Sequence, residues 1–179
     1  MKQLYTYIAM TMIAMTTLTS CEPFEDWLDT KEARTLDGNW TGYVETYYYD
    51  RWGLTGDSYR TTMYFERESA YGGWGYEVDY DLNSCYSDYY YCEFRWEVYK
   101  GSIRISYADS YNDIFIRDYS LSDNYFEGYM DDGTTTDIIF KLNYDYRFDW
   151  SFWRGNSFTR AANDGTTVKA SGKFAKAEE

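Results

Sequence analysis

Apolar and polar side chains alternate with a period of two residues through the middle of the chain, from Trp40 to Leu142. Such alternation is typical of β-strands that bury one face. Short turn sequences, among them Lys100-Gly101, Ser122-Asp123-Asn124 and Asp132-Gly133, separate the alternating segments. The pattern therefore predicts about eight strands joined by hairpin turns, and no helical stripe between them.

The predicted strands cover residues 40–49, 62–66, 74–80, 92–98, 103–105, 114–121, 125–130 and 138–142. Most acidic side chains in these strands alternate with apolar ones, so we expect them on a solvated outer face. Glu93, Glu97 and Glu127 belong to this group.

Sequential strands with short turns predict an up-and-down antiparallel meander. A meander of about eight strands removes its exposed edges by closing into a barrel, whose interior is filled by side chains or holds one small ligand. A sandwich of two sheets is the alternative, but sandwiches usually need longer crossing connections. The sequence thus predicts an all-β domain, a barrel, over residues 36–154.

The N-terminus carries a targeting signature. One positive charge, Lys2, precedes an apolar run from Leu4 to Leu18, which is shorter than the roughly 20 residues of a membrane-spanning helix. Leu18-Thr19-Ser20-Cys21 resembles the lipobox of bacterial lipoproteins. The resemblance implies a signal peptide over residues 1–20, with Cys21 as the lipid anchor. It implies an outer-membrane lipoprotein on the periplasmic face or the cell surface. A buried N-terminal helix is the alternative.

Two segments flank the predicted barrel. Residues 21–35 are rich in acidic side chains and are predicted to form an acidic tether between membrane and barrel. Residues 155–179 contain mainly small and polar side chains. They bury too little apolar surface to offset the entropy of ordering, so we predict a disordered tail.

The start of the first strand resembles a known family. Gly38-Asn39-Trp40, preceded by Leu36, is similar to the G-x-W signature that opens the barrels of lipocalins and of lipocalin-like lipoproteins from Gram-negative anaerobes. The segment from Trp96 through Lys100-Gly101 to Ile105 is similar to a hairpin of those bacterial domains.

The resemblance implies a lipocalin-like, non-catalytic module that binds a ligand. It also implies that Trp40 lies in the core at the closed end of the barrel, with Trp96 as a second structural tryptophan. Arg147 is the candidate for the arginine that covers the family's tryptophan.

Charge and composition exclude several classes of function. The chain has 17 basic and 30 acidic side chains and a formal charge of −13, and loss of Lys2 with the signal would make it one unit more negative. Nucleic acid is therefore an unfavourable partner. The chain has no histidine, which excludes Ser-His-Asp and Cys-His catalysis and histidine-ligated metals. We predict no enzyme, no catalytic residue and no cofactor.

Carboxylates alone do not identify a site. Thirty acids guarantee some pair at a glycosidase-like separation, so their availability is not evidence. Asp131-Asp132-Gly133 and Asp137 lack the alternating ligands of a calcium loop, and an Asp-Gly hairpin turn explains them better. No metal site is predicted.

Cys85 and Cys92 are the thiols that remain beside Cys21. An exported protein permits a disulfide between them. Alternatively, Cys92 is a small buried core residue and Cys85 is a loop thiol. The sequence leaves both interpretations open.

Aromatic residues are the most informative chemical feature, at 22% of the chain with 23 tyrosines. Tyr47-Tyr48-Tyr49 and Tyr89-Tyr90-Tyr91 place rings on both faces of a strand. The candidate ligand contacts are Trp52, Trp74 and Tyr76, because the glycines beside them are expected to open space around the rings.

Two functions follow from these features, and the sequence favours the first over the second. The first is a lipid-anchored binding module whose barrel holds a small neutral apolar or carbohydrate ligand. The second is an interaction or structural subunit of an outer-membrane complex, with a filled barrel and an envelope protein as partner. An aromatic cavity with a few inward polar groups would favour the first, and a packed interior with an exposed aromatic patch would favour the second.

Overall fold

The computed structural model describes residues 22–83, 89–108 and 112–151, with side chains from Trp27 onward. One helix, α1 (Glu22–Leu36), precedes the strands. The strands are β1 (Gly38–Asp50), β2 (Gly53–Arg67), β3 (Gly72–Asp81), β4 (Tyr89–Tyr99), β5 (Ser102–Tyr107), β6 (Ile114–Ile116), β7 (Tyr119–Leu121), β8 (Tyr125–Met130) and β9 (Asp137–Tyr144).

All nine strands belong to one antiparallel sheet in the order β6-β5-β4-β3-β2-β1-β9-β8-β7. Strands that follow one another in the chain are neighbours in the sheet, except β6 and β7, which form its two edges, and β1 also pairs with β9. The sheet curls round until its two edges approach each other at Phe115 and Asp131. This confirms the predicted all-β class and the antiparallel, barrel-like meander.

The seam of the barrel lies where one predicted strand is broken. Residues 114–121 form two short strands, β6 and β7, that are interrupted at Arg117 and Asp118. β6 pairs with β5, whereas β7 pairs with β8. Phe115 and Asp131 link the two sides by backbone hydrogen bonds of 2.9 and 2.8 Å. The barrel is thus nearly closed, with nine strands where eight were predicted.

Side chains from all sides of the sheet pack the interior. The largest fully buried ones are Trp40, Phe65, Phe94, Phe126, Phe140, Leu36, Met63, Ile103, Ile105, Ile114, Ile116 and Ile138. Trp40 meets Phe126 and Tyr144 edge to face, at centroid distances of 5.8 and 5.1 Å. Edge-to-face packing of this kind adds to the stabilisation that burial provides.

The prediction of an acidic tether is wrong over the residues that the structure describes, because Glu22–Leu36 form α1. Ala33 and Leu36 are fully buried against the barrel. The indole nitrogen of Trp40 donates a hydrogen bond of 2.8 Å to the carbonyl of Leu36. The helix therefore covers one end of the barrel and places Trp40 at that closed end.

Several predictions lie outside the described residues. These are the signal peptide of residues 1–20, the anchor Cys21, the loop thiol Cys85 and the tail of residues 155–179. Cys92 is buried on the inward face of β4.

Candidate functional site: a buried polar cluster and an aromatic outer surface

The interior becomes polar toward the end opposite α1. Glu77 and Asp79 of β3 are fully buried there, although they carry carboxylates. The Tyr107 hydroxyl of β5 donates a hydrogen bond to Glu77. Thr61 of β2 donates one of 2.5 Å to Asp79. A buried carboxylate needs such donors, because burial without hydrogen bonds is costly.

The buried tyrosines of this end keep their protons. Burial, and then the negative charge of Glu77, raise the pKa of Tyr107 well above its ordinary value. Burial raises the pKa of Tyr59 as well, with Asp57 contributing next. Both hydroxyls are therefore neutral at physiological pH, and that of Tyr107 acts as a neutral donor to Glu77. In the described part of the chain, no group of three or more His, Cys, Asp and Glu side chains is arranged to hold a metal ion.

The inward orientation of Glu77 and Asp79 reverses the expectation for β3. Gly75, Glu77 and Asp79 are buried, while Trp74 and Tyr76 lie on the outer face. Glu93 and Glu127, in contrast, are exposed on the outer face, as predicted. The only sequence hint of the reversal is Gly75, where a Cβ would lie 2.2 Å from the ring of Phe94. The glycine therefore accommodates a core ring instead of opening a cavity.

The predicted ligand contacts do not form one site. Trp52 lies in the β1–β2 turn and is exposed. Trp74 is covered by the guanidinium of Arg95, 3.9 Å from the ring centroid. Tyr76 stacks between Tyr64 and Tyr91, at centroid distances of 6.0 and 6.3 Å. Trp74 and Tyr76 are thus engaged by neighbouring side chains. They pair with Glu66 and Tyr64 near the end of β2, whereas Trp52 lies before its first residue.

The segment that follows β9 also covers part of the outer face. Trp150 lies against Tyr64 and Tyr76, and its indole nitrogen donates a hydrogen bond of 2.6 Å to Asn39. Phe148 packs on Trp150 at 4.7 Å. Arg147 is exposed, whereas the rings that meet Trp40 are those of Phe126 and Tyr144. The suggested match of Arg147 to the family's arginine is therefore wrong.

Arginines dominate two neighbouring clefts on the outside of β4, β5 and β6. The clefts measure about 460 and 370 Å³, and both are lined by Glu97 and Arg104. These two side chains form an ion pair of 2.6 Å. Arg117 lines the larger cleft, stacks on Phe115 at 4.7 Å and pairs with Asp131 at 2.7 Å. The guanidinium groups are thus already satisfied by carboxylates and rings.

The contacts of Asp131 with Gly133 and Arg117 lower the pKa of its carboxyl group. The backbone N–H of Gly133, followed by Arg117, holds the pKa of Asp131 below its ordinary value. The carboxylate is exposed, so the stabilisation is small after solvent screening. Hydrogen bonds from Gly133 and Thr134 to Asp131 and Asp132 define the predicted Asp-Gly turn.

A different part of the outside carries exposed tyrosines. We call it the tyrosine face, and it consists of Tyr43, Tyr47, Tyr49, Tyr125 and Tyr129. The first three lie on the outward face of β1, where Glu45 stands between Tyr43 and Tyr47, and the other two lie on β8. β9 runs between these strands. The tyrosine face therefore spans three strands, with Ile139 and Lys141 of β9 between the tyrosines of β1 and those of β8. Sequence reasoning indicated it only through the Tyr47-Tyr48-Tyr49 run.

Fold and surface together define the class of protein as a small antiparallel β-barrel, packed inside and aromatic outside. Comparison of the chain with family models, with curated proteins and with solved structures finds no match. The lipocalin resemblance stays a prediction. In the described residues, no helix is both long and apolar enough to cross a membrane.

Proposed function

We propose that this protein is a non-catalytic interaction subunit of an outer-membrane complex, anchored by lipid at Cys21, that binds an envelope protein through its outer surface. The observation that carries the proposal is the distribution of aromatic residues. Large rings such as Trp40, Phe65 and Phe94 fill the barrel, while the tyrosine face remains exposed.

Binding of a small ligand inside the barrel receives less support. The two tryptophans Trp40 and Trp96 pack within the core, and the clefts of about 460 and 370 Å³ open on the outside. A neutral glycan or a lipid in the barrel would need space that the packed rings occupy. A protein partner needs only a surface.

The composition of the tyrosine face suits a protein interface. Tyrosine is enriched at such interfaces because it buries a large ring while its hydroxyl keeps a hydrogen bond. Glu127 of β8, Lys141 of β9 and Tyr43 of β1 are neighbours in one row across the strands. Charged groups beside aromatic rings provide the polar rim that surrounds an interface core.

The proposal is tested with the full lipidated chain in the envelope of its host. We expect the solubilised protein to migrate as a complex larger than itself on a native gel. Tyr43→Ser and Tyr129→Ser should reduce the amount of complex about tenfold, because interface tyrosines often contribute more than 1.4 kcal/mol. Tyr99→Ser is the matched control, since Tyr99 is similarly exposed on β4.

The competing function is tested in parallel. A glycan and lipid screen read by tryptophan fluorescence should produce no shift in emission. The proposal is wrong if the protein runs alone in the solubilised envelope. It is also wrong if a small ligand binds equally to wild type and to the Tyr43→Ser and Tyr129→Ser variants.

A further inference from the structure

The β1–β2 hairpin extends beyond the rest of the barrel. β1 and β2 pair from Gly38 opposite Phe65 as far as Asp50 opposite Gly53. The pairing of β9 with β1 already ends at Tyr47, and the pairing of β3 with β2 begins only at Tyr59. Residues 48–50 and 53–58 therefore form a two-stranded ribbon without further strands beside it in the described structure.

The outer edge of this ribbon offers backbone groups for pairing. Leu82 donates a 2.9 Å hydrogen bond to the carbonyl of Ser58, and the side-chain amide of Asn83 donates one of 3.1 Å to the carboxylate of Asp57. Beyond Ser58, no strand among the described residues pairs with β2 on this side. In an antiparallel strand, the N–H and C=O groups of every second residue point to the same side. The backbone groups of Gly56 and Leu54 therefore point to the same side as those of Ser58. Residues 48–58 contain neither proline nor lysine, the residues that commonly protect edge strands.

The ribbon also exposes apolar side chains. Tyr49 and Leu54 are cross-strand partners and are 82% and 62% exposed. Trp52 is 82% exposed at the turn, and its backbone N–H is held by the carboxylate of Asp50 at 2.7 Å. Arg51 lies over the Trp52 ring at 5.0 Å. A turn that is fixed in this way presents its rings at low entropic cost.

The position and charge of the ribbon restrict the partner. α1 contacts the β4–β5 turn at the opposite end of the barrel, so the ribbon points away from the anchored N-terminus. Acidic side chains surround its base, and they are Glu45, Asp57, Asp81 and Asp137. With a formal charge of −13, a second copy of this chain is repelled and a basic partner is attracted.

We infer that the β1–β2 hairpin is a docking edge, and that an extended, positively charged segment of a partner protein pairs with residues 54–56 as an added strand. Main-chain pairing provides the affinity, as in other cases of strand addition. Tyr49, Trp52 and Leu54 contact the apolar side chains of that segment. The inference rests on the proposed function and names the partner's chemistry.

The test uses the full-length protein and a synthetic peptide of about ten alternating valine and lysine residues, a length that spans such an edge. We expect it to bind at least about tenfold more tightly than an alternating valine and glutamate peptide at low salt. On binding, exchange of the Leu54 and Gly56 amides should slow. Equal affinity for both peptides, or unchanged exchange at these amides, would overturn the inference.

Two variants at one position separate the backbone from the side chain. Leu54→Ala and Leu54→Pro both remove the leucine side chain, but only Leu54→Pro removes the N–H at the edge. We expect Leu54→Pro to bind the valine and lysine peptide about tenfold more weakly than Leu54→Ala, which corresponds to one main-chain hydrogen bond. Equal binding by the two variants contradicts strand addition.

The same variants distinguish this inference from the proposed function. If Leu54→Pro still assembles the native complex while Tyr43→Ser does not, the docking edge is wrong and the interaction subunit stands. If no complex forms with the wild-type chain, the proposed function fails. Wild-type dimers in sedimentation at low salt would instead identify a second copy as the occupant and overturn the inference.

Discussion

Trp40 is the residue whose burial the sequence predicts most directly. Its ring is fully buried between Phe126, Tyr144 and the last turn of α1. We expect Trp40→Ala to lower the free energy of unfolding by about 3–5 kcal/mol, because a large cavity replaces a packed ring. Urea denaturation measures this loss. Trp52→Ala is the control and should change it by less than about 0.5 kcal/mol, and similar losses in both variants would contradict the structure.

Tyr107 supports a buried carboxylate. In Tyr107→Phe, Glu77 loses the hydroxyl that donates to it, which should cost about 1–3 kcal/mol at neutral pH. Tyr99→Phe removes an exposed hydroxyl and should have little effect. Chemical denaturation of both variants at pH 7 compares them. Equal stability of the two variants would show that Glu77 does not depend on Tyr107.

The raised pKa of Tyr107 also predicts how stability changes in alkali. The folded state holds the hydroxyl proton more tightly than the unfolded chain, whose tyrosines have a pKa of 10.0. Stability from Tyr107 is therefore complete below pH 10 and is lost as the pH rises above that value. Unfolding free energy measured between pH 9 and about 11 should fall less steeply in Tyr107→Phe than in wild type. Parallel slopes would contradict the raised pKa.

At the residue scale, alternation reveals two faces of a strand but not which face points inward. For β3 the aromatic residues Trp74 and Tyr76 suggested the inside, whereas the structure buries Glu77 and Asp79. Register with the neighbouring strands decides this, because Glu77 stands opposite Met63 of β2 and Cys92 of β4. The rings remain outside, where Trp150 covers part of them.

Among the elements, α1 is the one that sequence reasoning missed. Its buried positions are sparse and include a charged residue, Asp29, beside Ala33 and Leu36. No apolar stripe therefore distinguishes it from a solvated linker. The helix depends on tertiary contacts. One of them is a 2.5 Å hydrogen bond from the hydroxyl of Tyr119 to Glu32.

Asp29 ties α1 to the β4–β5 hairpin. Its carboxylate accepts hydrogen bonds from the backbone N–H groups of Lys100 and Gly101, at 2.7 and 2.9 Å. Both turn residues have positive φ, 52° and 68°, so the turn presents both groups to one acceptor. Asp29→Ala should cost about 1–3 kcal/mol in unfolding free energy and speed amide exchange at Lys100 and Gly101.

The control for Asp29→Ala lies on the same helix. Lys31 is exposed, so Lys31→Ala should leave both the unfolding free energy and the exchange of the turn amides unchanged. Slow exchange of Lys100 and Gly101 in Asp29→Ala would show that α1 does not hold the turn.

The strands were predicted more successfully than the helix, because period-two alternation and turn residues act locally. β4, β5, β8 and β9 include the predicted segments, and the turn at Lys100-Gly101 lies where it was predicted. The interruption at Arg117 and Asp118 could not be predicted. It arises because this part of the chain leaves β5 and joins β8, which is a property of the whole sheet.

At the scale of the whole molecule, the lipobox predicts a lipid anchor at Cys21. Cys21 lies outside the described residues, directly before α1. We expect Cys21→Ala to accumulate as an unprocessed precursor without acyl label, because the thiol is the attachment point in the lipoproteins that the lipobox resembles. Metabolic labelling with a fatty acid measures this. Cys92→Ala is the control and should be labelled normally, and normal labelling of Cys21→Ala would contradict the anchor.

Strand pairing around the barrel is weakest at the bridge between Phe115 and Asp131. β1 and β2 share thirteen residue pairs, whereas Phe115 and Asp131 close the ring with two backbone hydrogen bonds. Each such bond contributes about 1 kcal/mol, so transient opening concentrates here and the rest of the sheet stays paired. Native-state hydrogen exchange should detect this as faster exchange at Phe115 and Asp131 than in the middle of β1. The barrel can therefore open at the Phe115–Asp131 bridge while its other strands stay paired.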